Sequence, residues 1–375
     1  MYFVSKKFNI FLSALFCLFI GSILVISTIL PDKEMSELEN RYLAKPPKLS
    51  LETLQNGTFM EDAEEYVSDQ IVGRDFWVAL KAWSERLSGK QENNGVYFGK
   101  EDTLLNRVNT PTQEELDKRL AYVDALVGNV SVPVYLGLIP SSSAVWSDRL
   151  PAGAPTADEL SLIEEFYFNT GAQTLDMAGA LLEHKAEDIY YRTDHHWTSL
   201  GAFYGANVLL EAMGLEPLNL SDYEKTTVTT EFYGTTFSTS GVRWVAPDSI
   251  DTYISGDGVK VTSWFTGSPE EGNLYVDRYL NEKDKYSYFL GGNQSLCVIE
   301  TEHTDAPKVL VIRDSYSDSL APFLTERFSE IHLFDPRYNL TSVKDYVAQN
   351  DIDQVVVLYS FQNFTTDQNL FVLSR

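Results

Sequence analysis

Five histidines occur in the 375 residues, and two of them stand together behind a carboxylate in Asp194-His195-His196-Trp197. An aspartate bonded to an imidazole fixes its tautomer and stabilises its charged form, as general-base catalysis requires. The same three residues carry donor atoms suited to zinc or manganese. A third reading is structural: a buried Asp–His pair that fixes a loop. In an extended backbone residues two apart face one side, so Asp194 can orient His196. Adjacent His195 and His196 would then face opposite ways and chelate poorly together. A catalytic metal site needs at least three converging ligands, and no His-x-His, His-Glu-x-x-His or cysteine cluster supplies the remainder. No metal and no cofactor are expected.

A base needs a nucleophile. Ser315, in Arg313-Asp314-Ser315-Tyr316, directly follows the apolar run Val309-Leu310-Val311-Ile312 and precedes a helical pattern. A serine at a strand-to-helix turn has an exposed hydroxyl, and nearby backbone N–H groups can receive an oxyanion. Asp and Ser are also the residues that cap helices, so the pair alone does not decide. The remaining histidines are poor partners for it: His184 in a polar helix, His303 in an acidic loop, His332 alternating within a strand.

The elements that must position these residues alternate. Helical spacing runs from Phe59 to Leu87 with a break expected at Gly73, and from Thr112 to Leu126 with a capping box at Thr112-Gln113-Glu114-Glu115. It recurs over 157–169, 178–184, 198–213, 319–328 and 342–349. Strand patterns fall at 96–105 (a hairpin), 132–139, 174–176, 308–312, 331–334 and 354–358. Residues from about 215 to 290, rich in Thr, Tyr, Ser and Gly, read as irregular β structure. Helix–strand alternation favours an α/β fold, an open parallel sheet flanked by helices, with reactive groups beyond the strands' C-terminal ends.

Lys and Arg number 29 against 54 Asp and Glu, a formal net charge of −25. Such a surface repels nucleic acid. Lys6-Lys7 precede a nearly unbroken apolar run from Phe8 to Leu30, about the 20 residues that cross a bilayer. No small-x-small cleavage site ends it. The expectation is a single-pass anchor at the cell membrane, with residues 1–7 cytoplasmic and the acidic body extracytoplasmic. The two cysteines, Cys17 and Cys297, form no expected disulfide. Residues 31–105 read as a tether and helical region, and 106–375 as one catalytic domain carrying the β-rich insertion.

Several segments in order carry a family resemblance: Glu39-Asn40-Arg41-Tyr42-Leu43-Ala44, Asp194-His195-His196-Trp197 with Gly201-Ala202, Phe232-Tyr233-Gly234-Thr235, Phe289-Leu290-Gly291-Gly292-Asn293, Asp314-Ser315-Tyr316 and Asp335-Pro336-Arg337-Tyr338. In this set the chain resembles the DHHW proteins of the SGNH-hydrolase-like superfamily, which are similar to bacterial alginate O-acetylation proteins. The resemblance implies an SGNH-like fold and a triad of Ser315, His196 and Asp194, in the chain order Asp–His–Ser. It implies an O-acetyltransferase or acetylesterase acting on hydroxyls of a cell-surface glycan, with a membrane-bound O-acyltransferase as partner. Arg313 stands where the family pattern has Gly before Asp-Ser. Gly292 and Asn293 are candidate oxyanion donors; His195, Arg337 and Tyr316 are candidate substrate contacts, and Trp197 reads as packing. Two alternatives are a non-catalytic glycan-binding or assembly protein, using aromatics between Tyr223 and Tyr288, and a metal-dependent hydrolase using Asp194, His195 and His196.

Overall fold

A computed structural model describes residues 6–36, 38, 39, 41–265 and 267–375. They form two compact units: the chain through Lys90 with Gly241–Arg243, and Gln91–Ser240 with Trp244–Arg375. The hairpin strands Glu92–Asn93, Val96–Phe98 and Leu104–Asn106 therefore group with the second unit.

The first unit begins with the helix Lys6–Ile29, 24 residues long and apolar enough to cross a bilayer or to act as a signal sequence. Residues 1–5 of the expected cytoplasmic segment lie outside the described residues. The long amphipathic pattern does break at Gly73, which sits at φ +69° between the helices Thr58–Gln70 and Arg74–Leu87. Glu39 and Arg41 belong to an ionic network here. Arg41 donates to both oxygens of buried Asp69 (2.8 and 2.5 Å) and to Glu39 (2.9 Å), and Arg74 reaches Glu39 at 2.5 Å. That first segment of the resemblance thus has a structural task; Asn40 within it lies outside the described residues.

The second unit is built on an eight-stranded sheet: β1 Val134–Ile139, β2 Gln173–Leu175, β3 Lys260–Trp264, β4 Glu270–Gly272, β5 Leu296–Glu300, β6 Lys308–Arg313, β7 Glu330–Phe334 and β8 Gln354–Ser360. Their spatial order is β4-β3-β5-β7-β6-β8-β1-β2. From β7 to β2 every pairing is parallel, whereas β4, β3 and β5 add to the β7 edge antiparallel. The β-rich stretch is therefore partly a sheet extension, and partly a separate pair, Thr226–Phe232 with Asp248–Thr252.

Alternation along β6 divides the core. Val309 and Val311 enter one layer, with the helices Met177–Glu183, Ser199–Ala212 and Ser317–Leu324; Leu310 and Ile312 enter the other, with Gln113–Asn129, Glu159–Asn169 and Val343–Gln349. All four side chains are fully buried, and at about 1.5–3 kcal/mol each they fix this strand by roughly 6–12 kcal/mol. The turn that begins at Asp314 inherits that rigidity. Helix ends follow their sequence signals: Thr112 caps Gln113–Asn129 through a capping box with Glu115, and Thr198 caps Ser199–Ala212. The helix Ser317–Leu324 ends earlier than its periodicity suggests, with Pro322 in its last turn.

Candidate active site at the sheet's C-terminal edge

Two segments converge beyond the C-terminal ends of the parallel strands. The first is the turn Asp314–Tyr316. Asp314 is fully buried; one carboxylate oxygen accepts from the Tyr316 N–H (3.1 Å) and the other from Ser360 N–H (3.0 Å), Ser360 Oγ (2.7 Å) and Asn363 Nδ2 (2.8 Å). It is not the cap that its residue type suggests, since Tyr316 is the N-cap of the helix Ser317–Leu324; it ties the turn ahead of that helix and clamps the ends of β6 and β8. Arg313, standing in place of Gly, points into the protein. It donates to Asp318 (2.7 Å) and Gln294 (2.9 Å) with no exposure, while burial pushes the Asp318 carboxyl up against the opposing pull of Arg313.

The second segment is the tetrad loop. It is bent, not extended: Tyr190 and Trp197 form a bridge that closes it, and Asp194 Oδ1 accepts from the His196 N–H at 3.0 Å. Trp197 does more than pack. Its indole N–H donates to the Tyr316 carbonyl (2.9 Å) and Ser319 Oγ (3.1 Å), joining the tetrad to the serine turn. Gly201 lets the following helix approach, because a Cβ there would come within 2.3 Å of the Ile189 carbonyl.

The outcome is a continuous hydrogen-bonded chain. Asp194 Oδ1 lies 2.5 Å from His196 Nδ1, and His196 Nε2 lies 2.8 Å from Ser315 Oγ. Asp194 and His196 are buried and Ser315 is half-buried. Burial works against the charged Asp194, but both imidazoles and the His196 hydrogen bonds outweigh it and hold the carboxyl well below the ordinary range. An ionised acceptor facing Nδ1 makes that nitrogen the donor, which leaves Nε2 to accept from the serine hydroxyl.

Sequence reasoning missed two contributors. Tyr286 stacks on His196, ring centroids 3.7 Å apart at 8°, and its hydroxyl donates to the Ser315 carbonyl (3.0 Å). Thr235, in the quoted Phe232-Tyr233-Gly234-Thr235 segment, donates to Asp194 Oδ2 through its N–H (2.6 Å) and its Oγ1 (2.9 Å). Gly234 admits this approach: a Cβ there would fall 2.2 Å from the Asp194 side chain. The presence of a Gly-Thr pair was legible; its target 41 residues away was not.

The other anticipated residues separate. His195 is bonded through Nδ1 to Thr235 Oγ1 (2.6 Å), and its ring lies 3.8 Å from that of His196. Burial first, then the neighbouring His196, push its pKa down to about 4, although about 32% of its side chain meets solvent. Tyr316 is buried and donates its hydroxyl to the His195 carbonyl, so it is a strut where a substrate contact was expected. Arg337 pairs with Asp335 through Nε (2.9 Å) and Nη2 (2.6 Å), and Nη2 also reaches Asn293 Oδ1 (3.4 Å). Leu290, Gly291 and Gly292 all have positive φ, a tight bend that leaves Asn293 exposed. The aromatics Phe232, Tyr286, Tyr288 and Phe289 pack with Tyr191 and Ile250 in a core cluster, which removes them as a sugar-stacking face.

The bent loop also corrects the expectation that adjacent histidines diverge. Asp194, His195 and His196 offer ligand atoms within 4.8 Å of one another. Yet Asp194 already accepts four hydrogen bonds, both His196 nitrogens face partners, and His195 Nδ1 faces Thr235. An ion there would have to break this network, and no further His, Cys, Asp or Glu joins the group among the described residues.

Comparisons with known proteins give one family match and several similar folds. Residues 169–334 match the DHHW protein family model. The resemblance read from the tetrad and its companion segments is thereby borne out. A DHHW family protein from Eubacterium siraeum has a similar structure, with a TM-score of 0.67 and 24% identity, covering 75% of this chain and 95% of that one. Bacillus cereus PatB1, in a structure with a sulfonyl adduct, gives a TM-score of 0.63 at 20% identity, covering 74% and 97%. The O-acetyltransferase domain of Pseudomonas putida AlgJ gives a TM-score of 0.46 at 15% identity, covering 73% and 93%. No curated protein sequence matches the chain significantly. The fold is that of these DHHW and PatB1 structures, an α/β sheet flanked by helices.

Proposed function

We propose that this chain is an acyl-transfer enzyme of the serine type, with Ser315 as nucleophile, His196 as general base and Asp194 as its orienting carboxylate. One observation carries the reading: the unbroken Ser315–His196–Asp194 hydrogen-bonded chain, at 2.8 and 2.5 Å, in a turn fixed on both sides. Ser315 Oγ attacks the acyl carbonyl while His196 Nε2 takes its proton, the protonated imidazole faces the Asp194 carboxylate and the Tyr286 ring, and it then gives that proton to the donor's leaving group as the bond from the acyl carbon to that group breaks. The acceptor then gives its proton to His196 and displaces Ser315, whose oxygen recovers that proton. The Ser315 N–H and, from the bend over 290–293, Gly292 and Asn293 are the groups assigned to the oxyanion, since the Tyr316 and Ser317 N–H groups are bonded to Asp314.

The resemblance noted in the sequence points to acetyl as the acyl group and a hydroxyl of a cell-surface glycan as acceptor, with a membrane-bound O-acyltransferase as the donor's source. The helix Lys6–Ile29 serves as the membrane anchor in this reading, with the sheet-bearing unit outside the cell. A fluorophosphonate should label Ser315, as located by mass spectrometry of the intact chain. Ser315→Ala should abolish both the label and turnover of an acetyl-ester probe while leaving the near-ultraviolet circular dichroism unchanged. Labelling elsewhere, or turnover retained in the variant, refutes the assignment.

A further inference from the structure

The network around Asp194 fixes more than one imidazole. Ionised Asp194 only accepts, so the single proton on Thr235 Oγ1 points at Asp194 Oδ2, 2.9 Å away. The same oxygen lies 2.6 Å from His195 Nδ1. With its proton committed, Thr235 Oγ1 can only accept there, so His195 Nδ1 carries the hydrogen. His195 Nε2 is left as a bare lone pair, and it makes no hydrogen bond among the described residues. The backbone on either side is held as well, by the Tyr316 hydroxyl on the His195 carbonyl and by Trp197. One carboxylate thus sets two adjacent rings, 3.8 Å apart, with opposite tasks available.

We infer that His195, locked by Thr235 as the Nδ1–H tautomer, is a specificity-determining residue that accepts a hydrogen bond from a second hydroxyl of the acyl acceptor, beside the hydroxyl that His196 deprotonates. The inference rests on the acyl-transfer reading above and names its acceptor class: a vicinal diol, which neither water nor an isolated alcohol matches. In the transfer step the attacking oxygen bonds to the acyl carbon and the bond from that carbon to Ser315 Oγ breaks. The acceptor proton passes through His196 to Ser315. The neighbouring hydroxyl keeps its proton and shares it with His195 Nε2. With about 32% of the His195 side chain meeting solvent, this contact favours the diol over its deoxy counterpart by about tenfold, far less than an enclosed site achieves.

The test uses the full-length protein, p-nitrophenyl acetate as donor, and two acceptors: a methyl glycoside with a free vicinal diol and its mono-deoxy counterpart. The readout is the ratio of kcat/KM for the two acceptors, in which effects on acyl-enzyme formation cancel. Wild type should favour the diol about tenfold, His195→Phe and Thr235→Val should bring the ratio near one, and Thr235→Ser should keep it high. Nitrogen-15 NMR of the imidazoles should report His195 as Nδ1–H, with the second tautomer appearing in Thr235→Val. A ratio unmoved in both variants while acetylation of Ser315 persists, or a wild-type His195 carrying its proton on Nε2, overturns the inference alone. A wild type that is never acetylated at Ser315 overturns the acyl-transfer reading, and the acceptor role with it.

Discussion

Asp194 is the residue on which the centre turns, because its two oxygens receive four donors from His196 and Thr235. Asp194→Asn keeps the shape but brings an N–H against His196 Nδ1, reversing the tautomer; ester turnover should fall on the order of 10⁴-fold in a folded protein. Gly234 makes that approach possible. Gly234→Ala forces a methyl group to 2.2 Å from Asp194, overpacking that costs about 1–3 kcal/mol. A thermal melt should show a midpoint lower by roughly 2–10 °C, with turnover lost alongside. Unchanged melting in Gly234→Ala would show that the two segments yield to each other freely.

At the scale of elements, the serine turn is held by what lies beneath it. Arg313 replaces a glycine of the family pattern, yet it is fully buried between Asp318 and Gln294. Arg313→Met strands the Asp318 carboxylate and should cost about 3–5 kcal/mol in urea unfolding, whereas Arg313→Met with Asp318→Leu should recover most of the loss. Equal losses in the single and double variants would contradict a compensated pair. This pairing also marks how far the sequence could be read. The apolar strands, the capped helices and the break at Gly73 were legible because each depends on neighbours a few residues away. Ser315, His196 and Asp194 were legible as residue types at strand ends and loops. What hid were the partners across long separations: Thr235 for Asp194, Ser360 and Asn363 for Asp314, Tyr286 stacked on His196. The bent tetrad hid too, since its shape comes from the Tyr190–Trp197 bridge and not from local propensity.

For the whole molecule, pH should act through groups of opposite sign. Burial pushes Glu159 up to about 7 against the donors of Ser141, from an ordinary 4.5. A raised folded pKa stabilises fully below about 4.5 and loses that contribution as pH climbs through 7, a difference of about 3 kcal/mol. Wild type should therefore melt several degrees lower at pH 8 than at pH 5, and Glu159→Gln should reduce that difference, the raised Asp318 carboxyl keeping part of it; identical pH profiles would dismiss the role of Glu159. Asp194 acts the other way, since its lowered pKa contributes above the ordinary carboxylate range and fades only as pH falls well into acid.

His196 and Ser315 are 119 residues apart in the chain, and β8, whose end clamps the serine turn through Ser360, comes later still. During synthesis the imidazole and its carboxylate emerge first, and they have no nucleophile to activate. On the proposed triad, Ser315 is expected to become reactive only once β8 has slotted between β6 and β1. If the assignment holds, covalent labelling of that serine is a clock for the closing of the sheet: a chain stalled before β8 docks should stay chemically silent, and one that takes the label should have its sheet complete.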